Sequence, residues 1–359
     1  MSQKQSVMVV QYWGVRGSIP CPLTNKQIED KQVALLQYIM QDRENSIFFQ
    51  NTVPTPEAIR EYLHKLPLSI SGTYGGDTTC LEIQAKDSPL IIIDAGTGIR
   101  FLGHALLKKI WNGQKLNPLA DNNSNSMQEI HVFFTHYHWD HIQGIPFFAP
   151  AFLSENQKVR FHFYGKKNMN AEVYQILLRQ QEYPNFPVIW NEMPCEKVYH
   201  DLNDPTQKIQ LGALCISYQE LSHPDSVLAY RFEIEGKSFV CATDTEHKNI
   251  IDPKLVSLAE NADIMYYDGQ YTPEEYDGSA DGFPRVGWGH STYEWAIKTA
   301  LKAHVKTLVL GHHDPRRDDF QLEDLKRKAI EYQKTLLHGE QKIDIQVAYQ
   351  GMIHNIYNA

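Results

Sequence analysis

Long uninterrupted apolar runs are missing from this chain of 359 residues. A membrane-spanning helix needs about 20 consecutive apolar residues, so no segment reads as a span. No apolar leader follows the opening Met-Ser-Gln-Lys-Gln-Ser, and a cytoplasmic location is expected. Cysteine is scarce: Cys21, Cys80, Cys195, Cys215 and Cys241 are scattered, odd in number and without a C-x-x-C pair. They read as reduced, mostly buried thiols. Positive charge is in deficit, with 34 Lys and Arg against 43 Asp and Glu, a formal net charge of −9. That balance argues against a broad basic face that wraps long nucleic acid. Sequence repeats and interdomain linkers are also absent. What is there, 42% hydrophobic and 21% charged residues, is the composition of a globular enzyme with a large core.

Short apolar strands alternate with helical patterns along the chain. Strands are expected at residues 7–12, 78–84, 90–93, 129–134, 159–164, 197–200, 214–221, 228–234, 238–242, 264–267, 307–310 and 343–348. Helices are expected at 99–111, 170–181, 251–260 and 292–303. A polar, Asn-rich surface loop is expected at 117–127. Residues 25–66 differ in style. A helix over 25–40 would use Ile28, Val33, Leu35, Leu36 and Ile39 as its apolar side. A second, over 55–66, has Thr55 as N-cap and Pro56 in its first turn. The pair reads as an insertion that caps the protein or mediates contact with a second copy.

The segment Thr135-His-Tyr-His-Trp-Asp-His-Ile-Gln-Gly144 carries the chemistry. His136 and His138 are two apart, so on extended chain they point the same way. Asp140 and His141 are adjacent and diverge unless the chain turns. A strand end turning into a helix would let the pairs serve two metals. Imidazole suits zinc and iron, and an added carboxylate fits a hydrolytic centre. Three further strand ends carry ligand types: His223 after 214–221, Asp244 after 238–242, and His312 after 307–310, with His313 as its rival. A buried strand-end carboxylate is costly unless it is paired or binds an ion. Asp244 is therefore the best bridging candidate.

These residues resemble the hallmark of the metallo-β-lactamase superfamily. His136, His138, Asp140 and His141 match its His-x-His-x-Asp-His, and His223, Asp244 and His312 match its downstream ligands. The resemblance implies one α+β domain over 1–359, an αββα four-layer sandwich of two mixed sheets with outer helices, interrupted by the insertion at 25–66. It also implies that Asp94 supports the metal loop. Gly289-His-Ser-Thr292 is similar to the branch containing ribonuclease Z and phosphodiesterases of small substrates. In that branch the position of His290 is catalytic or contacts phosphate, and Asp268 orients it. The resemblance implies two divalent ions, Zn2+ first, with Mn2+ or Fe2+ as alternatives. His136, His138 and His223 would hold one ion, Asp140, His141 and His312 the other, and Asp244 would bridge them. A water of lowered pKa would attack phosphorus, Asp140 would hold its proton, and His290 would protonate the leaving alkoxide. Arg316 and Arg317 are weaker substrate contacts. Phe147, Phe148 and Tyr271 are candidates to stack on a base.

The expected partner is a small phosphodiester such as a cyclic nucleotide, with no membrane and no long nucleic acid; a homodimer is left open. An RNA or tRNA 3′-end endonuclease is the alternative, weakened because no Gly/Pro-rich basic arm stands between the cluster and His223. A lactonase or thioesterase has less use for His290. A redox diiron centre is disfavoured by Asp140-His141, and a non-catalytic binding protein by the complete ligand set.

Overall fold

The strand patterns assemble into two seven-stranded sheets in a computed structural model. It describes residues 6–49, 53–120, 127–154, 159–167, 172–336 and 342–358. The first sheet runs β14 (Ile353–Tyr357), β1 (Ser6–Gly14), β2 (Cys80–Ala85), β3 (Leu90–Ile93), β4 (Gln128–Phe133), β5 (Val159–Gly165), β6 (Glu196–Asp201). The second runs β13 (Asp344–Val347), β12 (Thr307–Gly311), β11 (Ile264–Asp268), β10 (Lys237–Ala242), β9 (Val227–Ile234), β8 (Leu214–Leu221), β7 (Ile209–Leu211). Each sheet is antiparallel on one side and parallel on the other. Strands β14 to β3 and β7 to β10 pair antiparallel, while β3 to β6 and β10 to β13 pair parallel. The parallel strands read as continuous apolar runs because both their faces are covered.

Three apolar clusters make the layers. Between the sheets, Met8, Val10, Leu81, Ile83 and Ile93 meet Ile216, Tyr230, Phe232 and Phe239. Outside the first sheet lie α4 (Ile99–Trp111) and α6 (Val173–Gln180), through Leu102, Leu106 and Leu177. Outside the second lie α7 (Pro253–Ala259), α9 (Tyr293–Lys302) and α10 (Asp319–Leu336), through Leu258, Ile297 and Leu322. Each such side chain removed from water contributes about 1.5–3 kcal/mol. The architecture is the expected αββα sandwich. Among the described residues, no helix is long and apolar enough to cross a membrane.

Several stretches differ from the sequence reading. Residues 319–336 carried no assignment from sequence and form the 18-residue helix α10. Its core face, Leu322, Leu325 and Ala329 with the partly buried Ile330, Tyr332 and Leu336, is interleaved with charged residues that mask the stripe. The edge strands β7 and β14 are short and half-exposed, so alternation is weak. The helix expected over 170–181 is observed at Val173–Gln180, with residues 170 and 171 outside the described residues. The core of the expected loop, residues 121–126, also lies outside them.

Between β1 and β2 stand α1 (Asn25–Gln41), α2 (Pro56–Leu63) and α3 (Leu68–Ser71). Of the apolar side expected for α1, Ile28, Val33 and Leu36 are exposed and Leu35 and Ile39 half-buried, and Lys31 is the buried residue. The Lys31 ammonium bonds Ser69 O and Asp319 Oδ2, both at 2.6 Å. A buried ion pair, rather than an apolar stripe, thus ties α1 to the start of α10.

Candidate metal centre

Carboxyl ends of strands from both sheets meet at one edge. Strands β8, β10, β11 and β12 run the same way, so the residues that follow them emerge side by side. Open sheets of this kind place their sites outside the carboxyl ends of the strands. Asp94 leaves β3 and the His136–His141 segment leaves β4 at the facing edge, with α5 (Trp139–Ile142) supplying the turn that brings Asp140 and His141 around. Asp94, Asp244 and His312 have φ of +58°, +52° and +54°. This left-handed backbone is costly for side-chain-bearing residues and clusters at functional sites.

The imidazoles converge in two groups. His136, His138 and His223 form one, and Asp140, His141, Asp244 and His312 the other, with ligand atoms of each within 4.8 Å of one another. His141 Nε2 lies 3.2 Å from His312 Nε2 and 3.2 Å from Asp244 Oδ1. His312 Nε2 lies 3.1 Å from both Asp140 Oδ2 and Asp244 Oδ1. In the other group, His223 Nε2 lies 3.1 Å from His138 Nδ1. Asp244 reaches both groups, its Oδ2 standing 3.7 Å from His136 Nε2.

The opposite ring nitrogens decide what these convergent atoms are. His141 Nδ1 faces Asp94 Oδ2 at 2.8 Å, and His312 Nδ1 faces Gln270 Oε1 at 2.8 Å. His223 Nδ1 faces Gly289 O at 2.9 Å, and His138 Nε2 faces Asp225 Oδ2 at 3.3 Å. His136 Nδ1 faces the Thr135 hydroxyl, which donates to Asp94 Oδ2. Each outer partner is an acceptor, so each outer nitrogen is a donor, and each ring in its neutral form turns a lone pair inward. His136 Nε2 is buried with no hydrogen-bond partner among the described residues. Lone pairs and carboxylate oxygens facing one another repel unless a cation sits among them. The donor set therefore fits divalent metal with the outer-partner support usual for metal-bound histidine.

Charge follows the same logic. Burial opposes a proton on His141, but Asp244, Asp140 and Asp94 raise its protonation well above the ordinary histidine value. Burial likewise opposes ionisation of Asp140, yet His141 and His312 hold it far below the usual carboxylate range. A proton and a metal ion compete for these positions. Beside them, His290 Nδ1 stands 2.9 Å from Asp268 Oδ2. Burial works against its cation, but Asp268, then Asp244 and Asp140, raise its pKa to about 9.

All seven expected ligand residues are brought together, with Asp268 and His290 at their edge. Between the rivals, His312 enters the cluster, whereas His313 turns away to Ala348 O at 2.9 Å. Arg317 and Arg316 are tied to Glu275 and Asp314, at 2.5 and 2.7 Å, and serve the scaffold. Phe148 and Tyr271 are buried as packing, while Phe147 is exposed. Sequence reasoning missed Ser18, whose backbone N–H donates to Asp140 Oδ2 at 2.7 Å, and Gln270, which orients His312. The Gly17 preceding Ser18 carried a signal in hindsight: a Cβ there would stand 2.5 Å from the His312 ring. Gly289, at φ +89°, has the same intolerance toward His223.

Comparison with known proteins agrees with this geometry. Residues 90–313 match the family described as the β-lactamase superfamily domain. Ribonuclease Z of Prochlorococcus marinus (strain MIT 9515) is 22% identical over 273 residues, covering 63% of this chain and 81% of that protein. The metallo-β-lactamase fold protein YhfI from Bacillus subtilis superposes with a TM-score of 0.56 at 16% identity, covering 98% of this chain and 99% of that one. Unliganded yeast PDE1 superposes with a TM-score of 0.58 at 13% identity, covering 98% and 100%. The matched family spans the cluster from Asp94 to His312, and this chain belongs to the metallo-β-lactamase superfamily of hydrolases, in the branch that includes ribonuclease Z.

Proposed function

We propose that this chain is a phosphodiesterase that cleaves a small phosphodiester, such as a cyclic nucleotide, using two divalent ions, Zn2+ in the first instance. The observation that carries this reading is the Asp268–His290 pair at 2.9 Å on the border of the cluster. Lactone or thioester hydrolysis has little use for a fixed cation there, whereas a departing alkoxide needs a proton.

Bound metal would supply Lewis acidity toward phosphoryl oxygens and lower the pKa of water. His136, His138 and His223 would hold one ion, Asp140, His141 and His312 the other, and Asp244 both. Ser18 N–H fixes Asp140 so that one carboxylate oxygen keeps its direction. Asp268 takes Nδ1–H of His290 and leaves Nε2–H to donate to the leaving oxygen or to a phosphoryl oxygen. With the proton delivered, the P–O bond to the leaving group breaks without releasing an unprotonated alkoxide.

A small substrate is favoured by the charge of −9 and by the path from the cluster to His223. Its described residues are β5, α6, β6, β7, β8 and short helical turns, with no basic arm among them. The second reading, an RNA 3′-end endonuclease, is supported by the similarity to ribonuclease Z. We further read the chain as one cytoplasmic domain with an insertion at 25–66, because both sheets share one inter-sheet cluster. The exposed apolar residues of α1 would suit a homodimer contact. A panel of bis-p-nitrophenyl phosphate, cyclic mononucleotides, a pre-tRNA and a lactone tests the substrate. Turnover of small diesters with an intact pre-tRNA is expected; two bound metals without diester turnover would overturn the reading.

A further inference from the structure

A second group of metal-ligating side chains lies on the inter-sheet face of the first sheet, away from the cluster. Strands β4 and β5 are parallel and pair His131 with His162 in register. Glu129 is two residues before His131, on the same face. The three offer ligand atoms that all lie within 4.8 Å of one another. His131 is five residues before His136, roughly 17 Å along the strand at 3.3 Å per residue. The stacked rings of Phe133 and Tyr164 fill the next level of the same face.

The two imidazoles stack on each other and are not hydrogen-bonded to one another. Their rings stack at 4.4 Å, inclined by 4°. His131 Nε2 stands 3.6 Å from Glu129 Oε2, and His162 Nε2 stands 3.5 Å from Glu129 Oε1. Both Nε2 atoms are buried and have no hydrogen-bond partner among the described residues. His131 itself is only 3% exposed. An unpartnered polar atom buried in this way costs about 1–3 kcal/mol, so its retention calls for a partner. The other ring nitrogens are occupied: His131 Nδ1 by the Tyr164 hydroxyl and His162 Nδ1 by His200 Nε2, both at 3.0 Å. In the tautomer whose Nδ1–H donates outward, each ring presents its Nε2 lone pair toward Glu129, the arrangement that supports metal-bound histidine.

We propose that Glu129, His131 and His162 form a further binding site for a single divalent cation of the zinc type. Two imidazoles and one carboxylate suit a borderline ion, with water in the remaining position. Bond lengths near 2.0–2.2 Å require the carboxylate to turn inward and one ring to tilt. Burial, then the neighbouring His162 and His200, hold His131 down to a pKa of about 3, in the neutral form that binds metal. The competing group is Arg160, whose Nη1 is 3.5 Å from Glu129 Oε1. Its Nε is engaged by Glu196 at 2.7 Å, which leaves the guanidinium a partner when Glu129 turns. The site would tie β4 to β5 behind the loop that carries His136.

This inference is independent of the proposed activity, because its test counts metal and not turnover. The whole chain is stripped with chelator and dialysed against Zn2+, and zinc per chain is measured for wild type, Glu129→Gln and His162→Gln. Each variant is expected to hold one ion fewer than wild type. Glu129 is 38% exposed at the rim, so Glu129→Gln carries the test should His162→Gln fail to fold. Equal zinc content in wild type and a folded Glu129→Gln would overturn the proposal.

Discussion

His141 Nδ1 stands 2.8 Å from Asp94 Oδ2, while its Nε2 stands 3.2 Å from His312 Nε2. One ring therefore joins the two sheets: Asp94 follows β3 of the first, and His312 follows β12 of the second. Asp94 also accepts from the Thr135 backbone N–H and hydroxyl, both at 2.8 Å. Burial pushes its pKa up, and these donors with His141 pull it back. The aspartate orients the cluster without entering it.

Asp94→Asn keeps the shape but removes the charge that orders His141. Metal affinity is expected to fall about 10–100-fold, the range for loss of an outer partner of a metal-bound histidine. Competition against a calibrated chelator measures it; unchanged affinity would show that Asp94 only shapes the turn.

His290→Ala is expected to lower diester turnover by about 10²–10⁴-fold with metal content unchanged. His290 also lies within ligand reach of Asp244, Asp268 and His312. Turnover and metal content falling together would make it a ligand instead of a proton donor.

Removal of metal should cost stability as well as activity. Inward ring nitrogens of His136, His141 and His312 face Asp140 and Asp244, and metal takes the place of any proton there. Metal held at about a hundred times its dissociation constant stabilises the folded state by roughly 2.7 kcal/mol. Thermal unfolding with and without chelator should show the lower midpoint in chelator, restored by Zn2+.

His247 gives a pH dependence at the border of the cluster. Burial holds its pKa down to about 4, opposed in part by Glu246 and Asp268. Its Nδ1 meets the Ser291 hydroxyl at 3.1 Å, and its ring stacks on Trp295. Between pH 4 and 6.5 the unfolded chain binds this proton and the folded chain does not, so stability falls as pH drops through that window. His247→Gln should show a smaller loss of melting temperature between about pH 7 and pH 5 than wild type. An equal loss would remove His247 as a cause.

Lys31→Ala tests the ion pair that docks α1. Asp319 would keep Arg16, 3.7 Å away, but lose its 2.6 Å partner. Breaking a buried pair costs about 3–5 kcal/mol, and Arg16 should hold the loss near the lower end. Urea unfolding measures it; a loss below about 1 kcal/mol would class the pair with exposed ones.

The sequence by itself determined the strand ends and most of the site. Short apolar runs such as Leu90–Ile93 and Thr307–Gly311 read as covered strands, and a His or Asp directly after each is legible because residue order places it there. The His136–His141 spacing likewise marked its side chains in advance as ones that would converge. Tertiary structure decided what depends on chain segments distant in sequence. It chose His312 over the adjacent His313, because left-handed backbone at His312 sends one ring to the cluster and the next to Ala348. It brought Ser18 and Gln270 to Asp140 and His312, 122 and 42 residues away. It left Ile28, Val33 and Leu36 of α1 exposed and buried Lys31 in an ion pair with Asp319 instead. Local periodicity records only which face is apolar; which face is covered depends on the partner that folding supplies.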